Sequence, residues 1–192
     1  MKNKEHLTIV DSSFNVDYSN GDIKGKNVIT AKKYLKDLPN IFGDEEAFSK
    51  LDDDTLIFEV QAILPVDEGI EGGLFYGKTI IHPGKVGDEY YMTKGHFYQK
   101  IDRAEFYWGI EGEGILLLMD QKRNTWAEKI HPGSLHYIDG FIAHRTVNTG
   151  DTPLSFGACW PSDAGHHYQE IMDNGFSARL IEVDGKPKLI VN

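Results

Sequence analysis

Ala104-Glu105-Phe106-Tyr107-Trp108-Gly109-Ile110-Glu111-Gly112-Glu113-Gly114-Ile115-Leu116-Leu117-Leu118-Met119 is the stretch that decides the fold. Two runs rich in aromatic, aliphatic and β-branched residues, 104–110 and 114–119, read as strands, and Glu111-Gly112 between them reads as a turn. The same grammar continues in both directions. Downstream, 125–130, 134–138, 145–148 and 154–160 are strand-like, punctuated by Pro132-Gly133, Gly150-Asp151 and Asp163-Ala164-Gly165. Upstream, 57–63 alternates like a half-buried strand, and 74–81 and 89–93 follow, with Pro83-Gly84 as a turn. Closely spaced strands joined by glycine-rich turns predict a mainly β fold, an antiparallel sandwich or barrel, and exclude repeated βαβ units.

The ends of the chain differ from this middle. Residues 1–50 are polar, with helical patterns over 31–36 and 45–51, and are expected to form an extension that packs on a barrel spanning 51–192. Residues 169–174 predict a short helix stopped by Gly175. Residues 178–183 and 188–191, joined through Asp184-Gly185, predict a terminal hairpin. No repeat or linker argues for a second domain.

Composition narrows the function. The 192 residues carry a formal net charge of −10, so a nucleic-acid partner is excluded on charge. An anionic ligand depends instead on local groups, of which Lys94, Lys100 and Arg103 are the basic ones near the candidate site. The single cysteine, Cys159, sits in an apolar run and is expected to be a buried structural thiol in a reducing, cytoplasmic setting. Met1–His6 lacks the apolar core of a signal peptide, and no apolar run reaches the ~18 residues of a membrane span.

The chemistry gathers at His96, Glu105 and His144. His96 and Tyr98 are two residues apart, so on a strand they share a face. Glu105 opens the next strand, expected to run antiparallel beside His96, with His144 arriving from across the barrel. Two imidazoles and a carboxylate leave open positions on one divalent metal: Fe(II) first, with Mn(II), Ni(II) and Zn(II) as alternatives. The spacings Glu105-x6-Gly112 and Pro132-Gly133 leading to His144-x3-Asn148 resemble those that bracket metal ligands in cupin barrels, the double-stranded β-helix or jelly-roll fold.

Five blocks make the resemblance more specific: Pro83-Gly84-Lys85-Val86-Gly87, Thr93-Lys94-Gly95-His96-Phe97, Asp102-Arg103-Ala104-Glu105, Ala143-His144-Arg145-Thr146-Val147-Asn148 and Pro161-x-Asp163-Ala164-Gly165-His166-x-Tyr168. They resemble, in order, the cupin-type glucose-6-phosphate isomerases known best from archaea. The resemblance implies interconversion of glucose 6-phosphate and fructose 6-phosphate, in glycolysis and gluconeogenesis. It implies metal ligands at His96, Tyr98, Glu105 and His144, and here Tyr98 stands where the family pattern has histidine. It implies a phosphate subsite at Thr79, Thr93, Gly95 and Tyr168, with Phe58 and Trp160 replacing family tyrosines.

For this reaction Glu105 is the candidate base that takes the C2 proton. Tyr107, on the same face, is a candidate donor to the sugar oxygens, and His166 a candidate for ring opening or proton transfer. Two other readings stay open: a non-haem iron oxygenase using the His96–Glu105–His144 set, and a sugar-phosphate-binding cupin without catalysis. A homodimer is expected, since sheet edges are open hydrogen-bonding surfaces.

Overall fold

The computed structural model describes residues 8–191; the Met1–His6 stretch read above lies outside them. In chain order the elements are β1 (Phe14–Val16), β2 (Ile23–Gly25), β3 (Ile29–Tyr34), a single 3-10 turn (Leu35–Asp37), α1 (Glu45–Lys50), β4 (Leu56–Ile63), β5 (Leu74–Ile81), β6 (Lys85–Val86), β7 (Glu89–Tyr90), β8 (Phe97–Tyr98), β9 (Glu105–Glu111), β10 (Gly114–Met119), β11 (Thr125–Ile130), β12 (Leu135–Ile138), β13 (Ala143–Asn148), β14 (Leu154–Pro161), β15 (His166–His167), α2 (Gln169–Asn174), β16 (Ala178–Val183) and β17 (Lys186–Val191).

Two antiparallel layers form the cupin barrel. One is a six-stranded sheet ordered β12-β9-β14-β5-β4-β3; the other is β11-β10-β13. Bridges from Met92 to Val147 and from His96 to His144 extend the second layer by the segment that leads into β8, which pairs with β15. From β9 to β14 the chain crosses between the layers at every connection except the β10–β11 hairpin, as in a jelly roll. The corner between β9 and β10 turns at Gly112, where φ is +76° and a Cβ would sit 2.4 Å from the Pro153 carbonyl oxygen. Only glycine tolerates both conditions.

The core lies between the layers. Leu116, Leu117, Leu118 and Met119 on β10 are all buried, because C-terminal residues cover the outer side of that strand; the Ser177 amide approaches Met119 Sδ at 3.4 Å. Phe156, Ile57, Ile81 and Ile138 face them from the larger sheet. Residues 31–36, expected to be helical, are instead β3 followed by the 3-10 turn. The free edge of β4 offers six backbone partners to a segment too short to nucleate a helix alone. The segment beyond it sends Leu35, Leu38, Ile41 and Phe42 into the core.

The outer face of the larger sheet is apolar around β12, β9 and β14. Tyr107, Ala158, Trp160 and Phe75 line the interior, so strand alternation turns Phe106, Cys159, Tyr76 and Leu74 outward. Leu135 and Tyr137 stand opposite Trp108 and Phe106 on this face, and the Tyr137 and Phe106 rings pack with centroids 5.2 Å apart. Leu74, Phe106, Leu135 and Tyr137 are exposed. Cys159 is half-buried here; the expected burial fails because its strand position faces out.

Candidate active site

His144 lies on β13, whose six residues are all buried. His96 is its direct ladder neighbour: each backbone amide donates to the other's carbonyl, at 3.3 and 3.1 Å, and the rings sit 4.4 Å apart. Glu105 comes from the facing sheet, at the start of β9. This reverses the expected arrangement, in which Glu105 neighbours His96 and His144 lies opposite. The layer switch between β8 and β9 is the cause, since β9 pairs with β12 and β14.

Side-chain donor atoms of His96, Glu105 and His144 all lie within 4.8 Å of one another. Glu105 Oε1 and His144 Nε2 approach to 2.7 Å, yet neither has a hydrogen-bond partner, and His96 Nε2 is likewise buried and unpartnered. Orphaned buried donors and acceptors are costly, and three converging on one point are what a bound cation satisfies. Burial, followed by the neighbouring His144 and His166, holds the His96 imidazole well below its ordinary pKa. The ring is therefore neutral, as a metal ligand must be. The residues fit a divalent metal, and the donor chemistry is that of a two-histidine, one-carboxylate centre with open positions.

Tyr98 stands beside this set, its ring 5.3 Å from that of His96 and 5.9 Å from that of His144. Burial, then the Glu105 carboxylate, drives its phenol far above the usual range. A phenol held neutral is a poor donor to a cation. His166 packs on the other side of His96, 4.4 Å ring to ring, and stacks on Tyr168 at 5.5 Å and 5°. Burial lowers its pKa, with Glu105 opposing. His167 is exposed.

These groups share one cavity of about 380 Å³. It also gathers Thr79, Thr93, Gly95, Tyr107, Phe58 and Trp160, so every catalytic, phosphate-binding and metal-binding candidate read from the sequence except Tyr98 lines it. The Thr93 hydroxyl accepts from the Thr146 amide at 3.1 Å, which leaves its own hydrogen to donate elsewhere. Gly95 follows with φ +78°, a left-handed turn. The Lys94 and Gly95 amides have no partner among the described residues.

The sequence model of the glucose-6-phosphate isomerase family matches residues 32–189. The chain belongs to that family. A glucose-6-phosphate isomerase of Thermococcus kodakarensis is 43% identical over 178 residues, 92% of each chain. One of Pyrococcus horikoshii is 40% identical over 92% of this chain and 93% of its own. A protein of Rhizobium meliloti described as putative glucose-6-phosphate isomerase 1 is 35% identical over 81% and 73%. Among solved structures, the oxalate decarboxylase of Bacillus subtilis aligns with 57% of this chain and 26% of its own at TM-score 0.44 and 16% identity.

Within this glucose-6-phosphate isomerase family member, folding separates the three basic residues that the sequence put near the site. Lys94 lines the cavity with Nζ 5.4 Å over the Tyr168 ring and no ion pair among the described residues. Lys100 and Arg103 are already engaged: both bind Asp163, Lys100 Nζ at 2.7 Å and Arg103 through Nε at 3.1 Å and Nη2 at 2.8 Å. Asp163 thereby fastens the segment carrying His166 and Tyr168 to the loop before Glu105.

Proposed function

We propose that this chain interconverts glucose 6-phosphate and fructose 6-phosphate with one divalent metal per subunit, Fe(II) foremost. The observation that carries the reading is the orphaned His96–Glu105–His144 donor set inside a cavity that also presents Lys94 and two unpartnered amides, in a member of this family. A cavity of this size suits a sugar phosphate. Family membership favours isomerisation over the oxygenase and the non-catalytic alternatives.

The hydroxyls of Thr79 and Thr93, the Gly95 amide and Tyr168 hold the phosphate, and Lys94 adds a positive charge at the same wall. Phe58 and Trp160, without hydroxyls, contribute apolar wall. The sugar then extends toward Glu105. Moving hydrogen between C2 and C1 builds negative charge on the adjacent oxygens. A divalent metal held by His96, Glu105 and His144 supplies Lewis-acid stabilisation of that charge when bound. Burial and then Glu105 push the Tyr107 phenol well up, so it stays protonated and donates to a sugar oxygen. Glu105 takes the C2 proton and returns it to C1, the reverse path running for the ketose, and His166, neutral through burial, exchanges a proton with the ring oxygen as the ring opens.

The assembly we propose is a cytoplasmic homodimer. Its support is the exposed Leu74, Phe106, Leu135 and Tyr137 on one sheet face, and a lone cysteine in no disulfide. No helix among the described residues is long and apolar enough to cross a membrane.

A coupled assay of fructose 6-phosphate conversion on chelated and metal-reconstituted protein tests the reading. Turnover that depends on metal is expected. Absence of turnover in folded, reconstituted protein overturns it.

A further inference from the structure

Arg145 follows His144 on β13, and its side chain is buried. No carboxylate pairs with it among the described residues, and its Nε has no hydrogen-bond partner. The Glu89 carboxylate acts on the guanidinium through space but makes its ion pair with Arg179, at 2.9 Å. The guanidinium lies 4.8 Å over the Phe176 ring and donates from Nη2 to the Lys94 carbonyl at 2.7 Å. Burying a cation without a directly paired carboxylate is expensive, and a bound anion nearby would offset that cost.

The turn above Arg145 is built for that anion. Its outer side belongs to the cavity wall, where Thr93 keeps a free hydroxyl hydrogen, the Lys94 and Gly95 amides lack a partner among the described residues, and the Lys94 ammonium adds charge. Its inner side rests on Arg145: a Cβ at Gly95 would meet the Arg145 side chain at 3.1 Å. Pulling the Lys94 carbonyl inward fixes the peptide plane, and the same plane aims the Gly95 amide the opposite way. Consecutive amides aimed at one point form an anion-binding nest.

We infer that Arg145 is the positioning residue of the phosphate subsite: it orients the Lys94–Gly95 peptide from beneath and supplies the buried positive charge that a bound phosphate neutralises. The inference deepens the isomerase reading and rests on it for the identity of the ligand.

The test compares metal-loaded wild-type, Arg145→Met and Arg145→Lys proteins. Fructose 6-phosphate turnover, inorganic phosphate binding by calorimetry and metal affinity are measured on each. Arg145→Met should raise KM by about tenfold or more and weaken phosphate binding by a similar factor, with kcat and metal affinity changed by less than about threefold. Arg145→Lys, which keeps the charge, should recover part of the phosphate affinity. Unchanged KM and phosphate affinity alongside lost kcat and metal affinity would make Arg145 a mere support for His144 and overturn the inference. If Arg145→Met does not fold, wild-type KM and phosphate affinity in Arg145→Lys overturn it equally. Should wild-type protein bind phosphate yet turn over no sugar phosphate, the isomerase reading fails alone, and phosphate titration of the variants still decides the role of Arg145. Wild-type protein that binds no phosphate overturns the role of Arg145.

Discussion

Glu105 Oε1 lies 2.7 Å from His144 Nε2 although the two residues belong to different sheets. A cation between them joins the layers, so binding it stabilises the folded chain. At about 100-fold excess over Kd that stabilisation is about 2.7 kcal/mol. Chelator should lower Tm of wild-type protein. Glu105→Gln should weaken metal binding by more than about tenfold and remove the chelator effect. Calorimetric melting with and without metal reads both.

Tyr98→His should act in the opposite direction. It returns an imidazole to a position 5.3 Å, ring to ring, from His96, where the buried phenol stays neutral. We expect metal affinity to rise by about tenfold or more, measured by competition with a chromophoric chelator. Equal affinities would show that the ring at 98 does not face the cation.

Asp163 sets a pH dependence. Hydrogen bonds from Arg103 and then Lys100 hold its carboxyl well below the usual range. A depressed folded-state pKa stabilises the fold fully above the unfolded value of about 3.9, and that stabilisation is lost as pH falls toward the folded value. Urea midpoints of wild-type and Asp163→Asn proteins should therefore differ at pH 7 and converge below about pH 4.

Thr93→Val removes a hydroxyl that accepts from the Thr146 amide and faces the cavity. Steady-state kinetics should show KM for fructose 6-phosphate raised by about tenfold, with a smaller change in kcat.

Leu117 is 1% exposed, whereas Leu189 on the terminal hairpin is 36% exposed. Denaturant unfolding should show a loss of about 2–5 kcal/mol for Leu117→Ala and under about 1 kcal/mol for Leu189→Ala.

Much of this was legible in the residues. The strands from 56 to 161 follow their apolar runs and glycine turns because both signals are local. The ligand set was legible because two histidines and a glutamate on apolar strands have few other reasons to converge. Sheet membership was not: Glu111-Gly112 marks a turn, but whether the chain returns to the same sheet or crosses to the other depends on packing across the barrel. Residues 31–36 misled for a similar reason, since the edge that captures them belongs to a strand more than twenty residues away. Nothing local distinguishes Lys94 from Lys100, or marks Arg145 at all, until folding sets Lys94 on the cavity wall and Arg145 beneath it.

Cys159, the chain's single thiol, faces outward between Phe106 and Tyr76 on the apolar sheet face. Any partner pressed against that face shields its sulfur from thiol reagents, while a lone subunit leaves it open to them. The protein thus carries its own association gauge: one labelling rate, followed against dilution, reports assembly without an added tag.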